Sequence, residues 1–440
     1  MARTCSQDVL WDILCRLRVK SLKRFQCVCK SWYALFMHPS FVTKHLHFHS
    51  GQKKNTRSFL LSHSLDLRYI NELPIDQRKD TCFSLVNLDE TTDDIVSIDW
   101  LKLSDNSDQE NKFSNYWTKD VIIFGPRNGI YCLHESSRVH GDVIGLMNVS
   151  LREFKLVPKP EQSIIWHTGS LSRQFVEIGF DPKTNDYMVF FFKDCTFPRE
   201  RERQAAIYHV SSNSWKKLSD PLLDHVTLDL QDCITDTNVN GNAHWLAYDD
   251  GVPSGSDWHI LSFDMVGEVF AKIELPELRI TSRETAYVVA LFNESLSLIV
   301  YPKTLVSFLE ESDTKCFDIW VMKDYGDDRS WTKQFTVGPV AFADILLGFW
   351  RNGEFLIQDG SGRTITYDPS AGKMEQLCFG QGLQLIRSCI YSESLVSVTG
   401  NARNDFEIVV EDFPFVMTPD MKRVLGYIDK CPCRSCSTSD

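Results

Sequence analysis

The chain has 440 residues, 43% of them hydrophobic, with 47 Lys+Arg against 59 Asp+Glu and a formal net charge of −12. That composition sets aside a disordered chain, and the acidic balance argues against nucleic-acid binding, which needs a basic surface. No run of eighteen apolar residues suggests a membrane span, and Arg3, Gln7, Asp8 and Asp12 interrupt any secretory leader, so the cytoplasm is the expected location, with the nucleus as the alternative.

The first fifty residues read as short helices. Val9, Leu10, Ile13, Leu14 and Leu17 fall at i, i+1, i+4, i+5 and i+8, one apolar stripe on a first helix. Ser21 is placed to cap a second helix, where Leu22, Phe25 and Val28 recur among Lys20, Lys23, Arg24 and Lys30. Cys27-Val28-Cys29 is expected within that helix, as packing rather than a redox pair. Trp32, Leu35 and Phe36 mark a third helix. Pro39 is expected to stop it, and Ser40 to open a fourth carrying Phe41, Val42 and Leu46. His45 and His49, near its end, read as part of a solvated face. Helices this short leave apolar surface uncovered, so the segment is expected to complete its burial on a partner. Charge points the same way. Met1 to Leu60 carries 11 basic and two acidic residues and the remainder 36 basic and 57 acidic, so a head of +9 precedes a body of −21.

The head resembles the F-box, the module that docks substrate adaptors on the Skp1 subunit of cullin-based ubiquitin ligases. Arg16-Leu17, Val19-Lys20-Ser21-Leu22, Arg24-Phe25, Cys27-Val28-Cys29-Lys30-Ser31-Trp32 and Pro39-Ser40-Phe41 to His45-Leu46 carry the likeness. It implies that Val9, Leu10, Ile13, Leu14, Leu17, Val19, Leu22 and Phe25 form a Skp1-binding stripe, and that a cullin is reached through Skp1. Trp32 and Leu35 are expected to hold the helices together. Two positions depart from the family pattern. Cys5-Ser6 stands where Leu-Pro is usual, and Arg18 where Pro usually follows Arg-Leu; both bear on affinity and on the choice among Skp1 relatives.

The body reads as β-rich and repetitive. Ile144 to Asn148 leads to Phe154-Lys155-Leu156, and Ile207 to Ser211 leads to Trp215-Lys216-Lys217-Leu218. The plan returns at Leu261 to Asp264 with Phe270, at Phe317 to Met322 with Trp331, and at Thr364 to Asp368 with Met374. Each unit is expected to be a hairpin closed by a polar turn. Asn128-Gly129, Asn240-Gly241, Asn352-Gly353 and Asn185-Asp186 supply turns that suit positive φ in the strand pairs before them. With further strands at Ser58–Ser62, Cys82–Leu88, Val121–Phe124 and Leu395–Thr399, the fold class is expected to be α+β multidomain: a helical head, residues 1–50, and an all-β propeller-like domain of about six blades, 57–415. Residues 416–440 read as a Cys-containing tail. Polar insertions at 103–119, 196–203, 248–257 and 303–315 are the expected partner-reading loops.

The body also resembles the plant F-box-associated, kelch-like domain, through Phe124 to Gly129, Gly179-Phe180-Asp181 to Asn185-Asp186-Tyr187, and Asn240-Gly241-Asn242-Ala243-His244-Trp245. Ile319 to Gly326 running into Ser330-Trp331-Thr332-Lys333 resembles the S-locus F-box proteins. That likeness implies a basic S-RNase as the protein substrate, a role in pollen self-incompatibility, and degradation of the bound target. The expected function is therefore a non-catalytic substrate adaptor of an SCF-type ligase. Alternatives are an adaptor for an unrelated plant substrate and a lectin-like binding propeller with a vestigial head. No cofactor or metal is expected. Cys431, Cys433 and Cys436 offer three thiolates without a fourth ligand, and Ser254-Gly255-Ser256 and Gly360-Ser361-Gly362 lack a phosphate-loop lysine.

Overall fold

The computed structural model describes residues 7–50, 58–65, 81–88, 95–105, 121–137, 141–161, 172–195, 202–229, 237–250, 258–278, 285–302, 314–341, 343–349, 354–359, 364–377, 383–400 and 406–411. The chain divides into two compact units. One gathers the helices with 79–157 and 389–416, and the other is built on 158–388.

Four helices form the head: α1 (Gln7–Cys15), α2 (Val19–Phe25), α3 (Lys30–Phe36) and α4 (Pro39–Ser50). Their boundaries correct the sequence reading in three places. Ser21 lies inside α2 and does not cap it; the N-cap is Arg18, whose side chain makes no capping bond. Pro39 is the first residue of α4 rather than the end of α3, which suits a residue with no N–H to lose in a first turn. Cys27, Val28 and Cys29 fall in the exposed turn between α2 and α3, because α2 ends at Phe25. Inside, Leu14, Cys15, Val19, Leu22, Phe36 and Phe41 form the core. Phe41 contacts Trp11 at 5.7 Å and Phe36 at 5.4 Å between ring centroids, and Phe25 meets Trp32 at 5.6 Å. Trp32 and Leu35 pack against this core from partly buried positions.

His45 is buried in the head, not solvated. One turn after Phe41, it faces inward with it, and its Nε2–H donates to the Leu17 carbonyl at 3.0 Å. Burial pushes its pKa down to about 4.

The body is made of four-stranded blades. Three strands come first: β1 (Ser58–Leu65), β2 (Thr81–Leu88) and β3 (Ile95–Asp105). The first full blade is β4 (Val121–Arg127), β5 (Ile130–Ser137), β6 (Gly141–Asn148) and β7 (Glu153–Leu156). The second is β8 (Ser172–Asp181), β9 (Asp186–Cys195), β10 (Glu202–His209) and β11 (Ser214–Leu218). The third is β12 (Val226–Leu228), β13 (Asn242–Asp249), β14 (Trp258–Asp264) and β15 (Val269–Glu274). The fourth is β16 (Thr285–Phe292), β17 (Ser295–Pro302), β18 (Thr314–Met322) and β19 (Trp331–Ala341). The fifth is β20 (Ala343–Phe349), β21 (Phe355–Asp359), β22 (Thr364–Asp368) and β23 (Lys373–Leu377). β24 (Leu383–Ile390) completes a sixth set with β1–β3, and β25 (Phe406–Glu411) lies between β3 and β7, giving the order β24-β1-β2-β3-β25-β7-β6-β5-β4 in one sheet. The architecture is thus an N-terminal helical head followed by a six-blade all-β propeller. The segment Leu395–Thr399, expected as a strand, joins no ladder and bends at its end.

The repeat seen in the sequence is a repeat of register. Phe154, Trp215, Phe270, Trp331 and Met374 all lie in the fourth strand of a blade, opposite Met147, Tyr208, Phe263, Met322 and Tyr367. A residue with positive φ stands two places before four of these anchors: Arg152 (58°), Asn213 (51°), Glu268 (54°) and Gly372 (62°). That left-handed residue turns the chain into the last strand. Before it, Asp264 accepts from the amides of Val266 and Gly267, and Asp368 from those of Ser370 and Ala371, each side chain closing its own turn. The fourth blade alone departs, because a short 3-10 turn, Asp328–Ser330, lengthens its hairpin. Asn128-Gly129 and Asn240-Gly241 take positive φ at both residues, as the sequence anticipates, while Asn352-Gly353 lies outside the described residues. In the second unit, Phe190 meets Phe263 in a tilted pair at 4.7 Å and Phe263 stacks on Phe270 at 4.4 Å, joining the second blade to the third.

Candidate partner-docking site

The eight residues of the expected stripe separate into three groups. Leu14, Val19 and Leu22 are sealed inside the head, where they hold its core together. Leu10, Leu17 and Phe25 are partly buried against that core. Val9 and Ile13 stand 49% and 53% exposed on α1. Three exposed apolar side chains were not in the stripe: Val28 at 63%, Tyr33 at 54% and Met37 at 47%. Tyr33 sits off the Trp32/Leu35/Phe36 face, and that offset is the signal in the sequence that could have marked it. Arg16, Arg18, Lys20, Lys23, Arg24 and Lys30 are exposed on the same head. Apolar side chains left uncovered outside the head core, on a head that also exposes six cations, describe a surface suited to an acidic partner with an apolar groove.

Arg18, where the family pattern has proline, holds a backbone angle that proline would also take. Its φ is −64°, the value a proline ring would impose, and its carbonyl accepts the amides of Ser21 at 2.9 Å and Leu22 at 3.2 Å. A proline-compatible backbone thus carries a guanidinium at the entrance to α2.

A segment from late in the chain completes the head. Residues 391–400 run as a strap between the head and the β6–β7 hairpin. Val19 donates its amide to Glu393 Oε2 at 2.8 Å, so a carboxylate from the strap caps α2 where its own N-cap residue does not. Leu395 enters the head core beside Leu22 and Phe41, joined by Leu151 from the hairpin. On the other side, Asn148 Nδ2 donates to the carbonyls of Ser394 at 3.1 Å and Val396 at 2.7 Å. Ser150 Oγ accepts the Ser394 amide at 3.1 Å, and Glu153 accepts from Ser397 Oγ at 2.8 Å and the Val398 amide at 3.0 Å. The buried Tyr131 hydroxyl donates to the Ile390 carbonyl and accepts the Ser392 amide. Gly129, at φ +77°, leaves room for this approach: a Cβ there would stand 2.5 Å from Ser394 Cβ.

Among the ordered polar clusters of the body, one pairs a buried histidine with a tyrosine. His244 Nδ1–H donates to the Thr237 carbonyl at 2.6 Å, leaving Nε2 to accept from the Tyr325 hydroxyl at 2.9 Å. Burial raises Tyr325 to about 12, so the phenol stays protonated and donating. Among the described residues no group of three or more His, Cys, Asp or Glu side chains is arranged to hold a metal ion, and no helix is long and apolar enough to cross a membrane. The expected partner-reading loops lie, apart from their ends, outside the described residues, as do Cys431, Cys433 and Cys436.

Comparison with known proteins matches the same two regions. Residues 6–44 match the F-box domain, and residues 86–398 match the F-box associated beta propeller domain. F-box protein At3g07870 of Arabidopsis thaliana is 24% identical over 421 residues, covering 85% of this chain and 87% of that protein. F-box protein At3g17710 of Arabidopsis thaliana is 22% identical and covers 89% and 96%; F-box protein CPR1 of the same plant is 27% identical and covers 76% and 73%. With four short helices at its N-terminus and repeated hairpins beyond them, the chain belongs to the family of F-box proteins that carry an F-box associated beta propeller domain.

Proposed function

We propose that this protein is the substrate-recruiting subunit of an SCF-type ubiquitin ligase, with its head docked on a Skp1-like protein and through it on a cullin. The observation that carries this reading is the head surface: Val9, Ile13, Val28, Tyr33 and Met37 remain exposed outside the head core, and the same helices and turns expose six cations. The chain supplies no catalysis of its own; holding a target beside a ubiquitin-charged enzyme raises the local concentration of the target's lysines at another protein's active site. The proline-like backbone of Arg18 supports a working head over a vestigial one. The experiment is co-purification with Skp1 after Val9→Asp plus Ile13→Asp. Both side chains are exposed, so the double variant folds, and the reading requires that it lose Skp1. Undiminished binding by the folded variant overturns it.

For the target, the body's charge of −21 supports a basic protein. The resemblance to S-locus F-box proteins narrows that to an S-RNase recognised in pollen, in the cytoplasm. Binding of basic secreted ribonucleases by the full chain, compared with an unrelated basic protein at the same ionic strength, tests the narrower reading. Equal binding of both reduces it to charge alone.

A further inference from the structure

The strap invites a question about geometry rather than about binding. An adaptor works only if target and ubiquitin donor are held at a usable distance, so how firmly the docking head is set on the body matters as much as how tightly it docks.

In the strap, alternate residues face opposite ways. Glu393 and Leu395 reach the head, the first at the amide of Val19 and the second in the core with Leu22 and Phe41. Ser394 between them is buried against the first blade, its amide held by Ser150 and its carbonyl by Asn148. One extended segment thus touches the head with one face and the β6–β7 hairpin with the other. Asn148 and Ser150 belong to a hairpin of the repeated kind, yet here the side chain that closes the turn, by accepting the Leu151 amide at 3.1 Å, also reaches across to the strap. Leu151, at the tip of the same hairpin, packs directly on the head.

We propose that Glu393 is a positioning residue: by capping α2 it locks the docking head onto the first blade, so that the strap sets the angle between a docked Skp1 and that blade. This rests on the adaptor reading for its functional meaning, though not for its structural content. Neutralising the side chain while keeping its acceptor oxygen preserves most of the lock; truncating it releases the helix start. Glu393 is only partly buried, so its variants fold.

The test uses the full chain with bio-orthogonal spin labels at Lys23 of α2 and Leu156 of β7, both exposed. Wild type is expected to give one narrow distance distribution, Glu393→Gln a similar one, and Glu393→Ala a broadened one. Amide exchange at Val19 is expected to rise about tenfold in Glu393→Ala, the factor that loss of one charge-assisted hydrogen bond implies. Identical narrow distributions in wild type and Glu393→Ala overturn the proposal, as does a broad distribution already present in wild type. Co-purification with Skp1 is measured on the same variants and is expected to be unchanged, because the exposed docking side chains are untouched. Failure of the wild-type chain to bind Skp1 counts against the adaptor reading alone and leaves the distance result standing.

Discussion

The head and the blades solve the same problem of burial in opposite ways. Five blades repeat one hairpin, with an anchor opposite a large apolar residue and, in four of them, a left-handed residue two places before it. Stability is spread over units of the same design. The head has a single small core of six buried side chains from its own helices, and it borrows Leu395 from the far end of the chain and Leu151 from a hairpin to close it. The difference teaches that a short helical module can be finished from within its own chain on one side while its other side stays uncovered for a partner.

The sharpest way to break this comparison is to empty the head core. Phe41→Ala removes a fully buried ring with three aromatic neighbours and is expected to cost about 3–5 kcal/mol, enough to unfold the head. Amide exchange should show protection lost in α1–α4 and kept in β8–β23; equal loss in both would mean the two regions do not differ as described.

Acid should act on the head before the blades. The folded pKa of His45 lies near 4, below the ordinary 6.5, so the neutral imidazole stabilises the head above pH 6.5, and that stabilisation drains away as pH falls toward 4. The loss is on the order of 3 kcal/mol. Helical signal followed from pH 7 to pH 4 should fall ahead of the near-ultraviolet signal of the blade tryptophans. A neutral His45→Gln should flatten the first curve, and a pH dependence unchanged by that substitution would remove His45 as the cause.

In the blades a single lost bond should matter less. Trp215 donates its indole N–H to the Pro158 carbonyl at 2.7 Å, and Trp331 to that of Glu274 at 2.9 Å, tying the fourth strand to the segment that closes the preceding blade. Trp331→Phe keeps most of the ring and loses the donor, at an expected cost of about 1 kcal/mol in thermal unfolding. The smallest effect has the opposite sign. Arg152 holds φ at +58° with an exposed side chain, so Arg152→Gly should relieve backbone strain and stabilise by roughly 0.5–1 kcal/mol. Destabilisation there would show that the arginine side chain contributes more than its backbone costs.

Much of this was legible in the residues. Five anchors picked out by local pattern all fall at one register, because a hairpin's strand pairing is decided by residues less than ten positions apart. The turns at Asn128-Gly129 and Asn240-Gly241 were legible for the same reason. Helix starts in the head were less so. Ser21 has the chemistry of a cap, yet α2 begins two residues earlier, where Glu393 supplies the carboxylate from 374 positions away. Leu395–Thr399 has the composition of a strand and serves as a strap, since side chains of Asn148, Ser150 and Glu153 take backbone groups of residues 394–398.

Local sequence alone carries the two-part plan, the repeat of hairpins and the opposite charges of head and body. Those follow from periodicity, turn chemistry and composition, which act over a few residues and survive in any context. Tertiary structure alone decided which residues of the apolar stripe face solvent, that His45 is buried, and that a segment near residue 393 completes a helix begun at residue 19. Burial and long-range capping depend on what packs against a side chain, and local pattern carries no record of its partner.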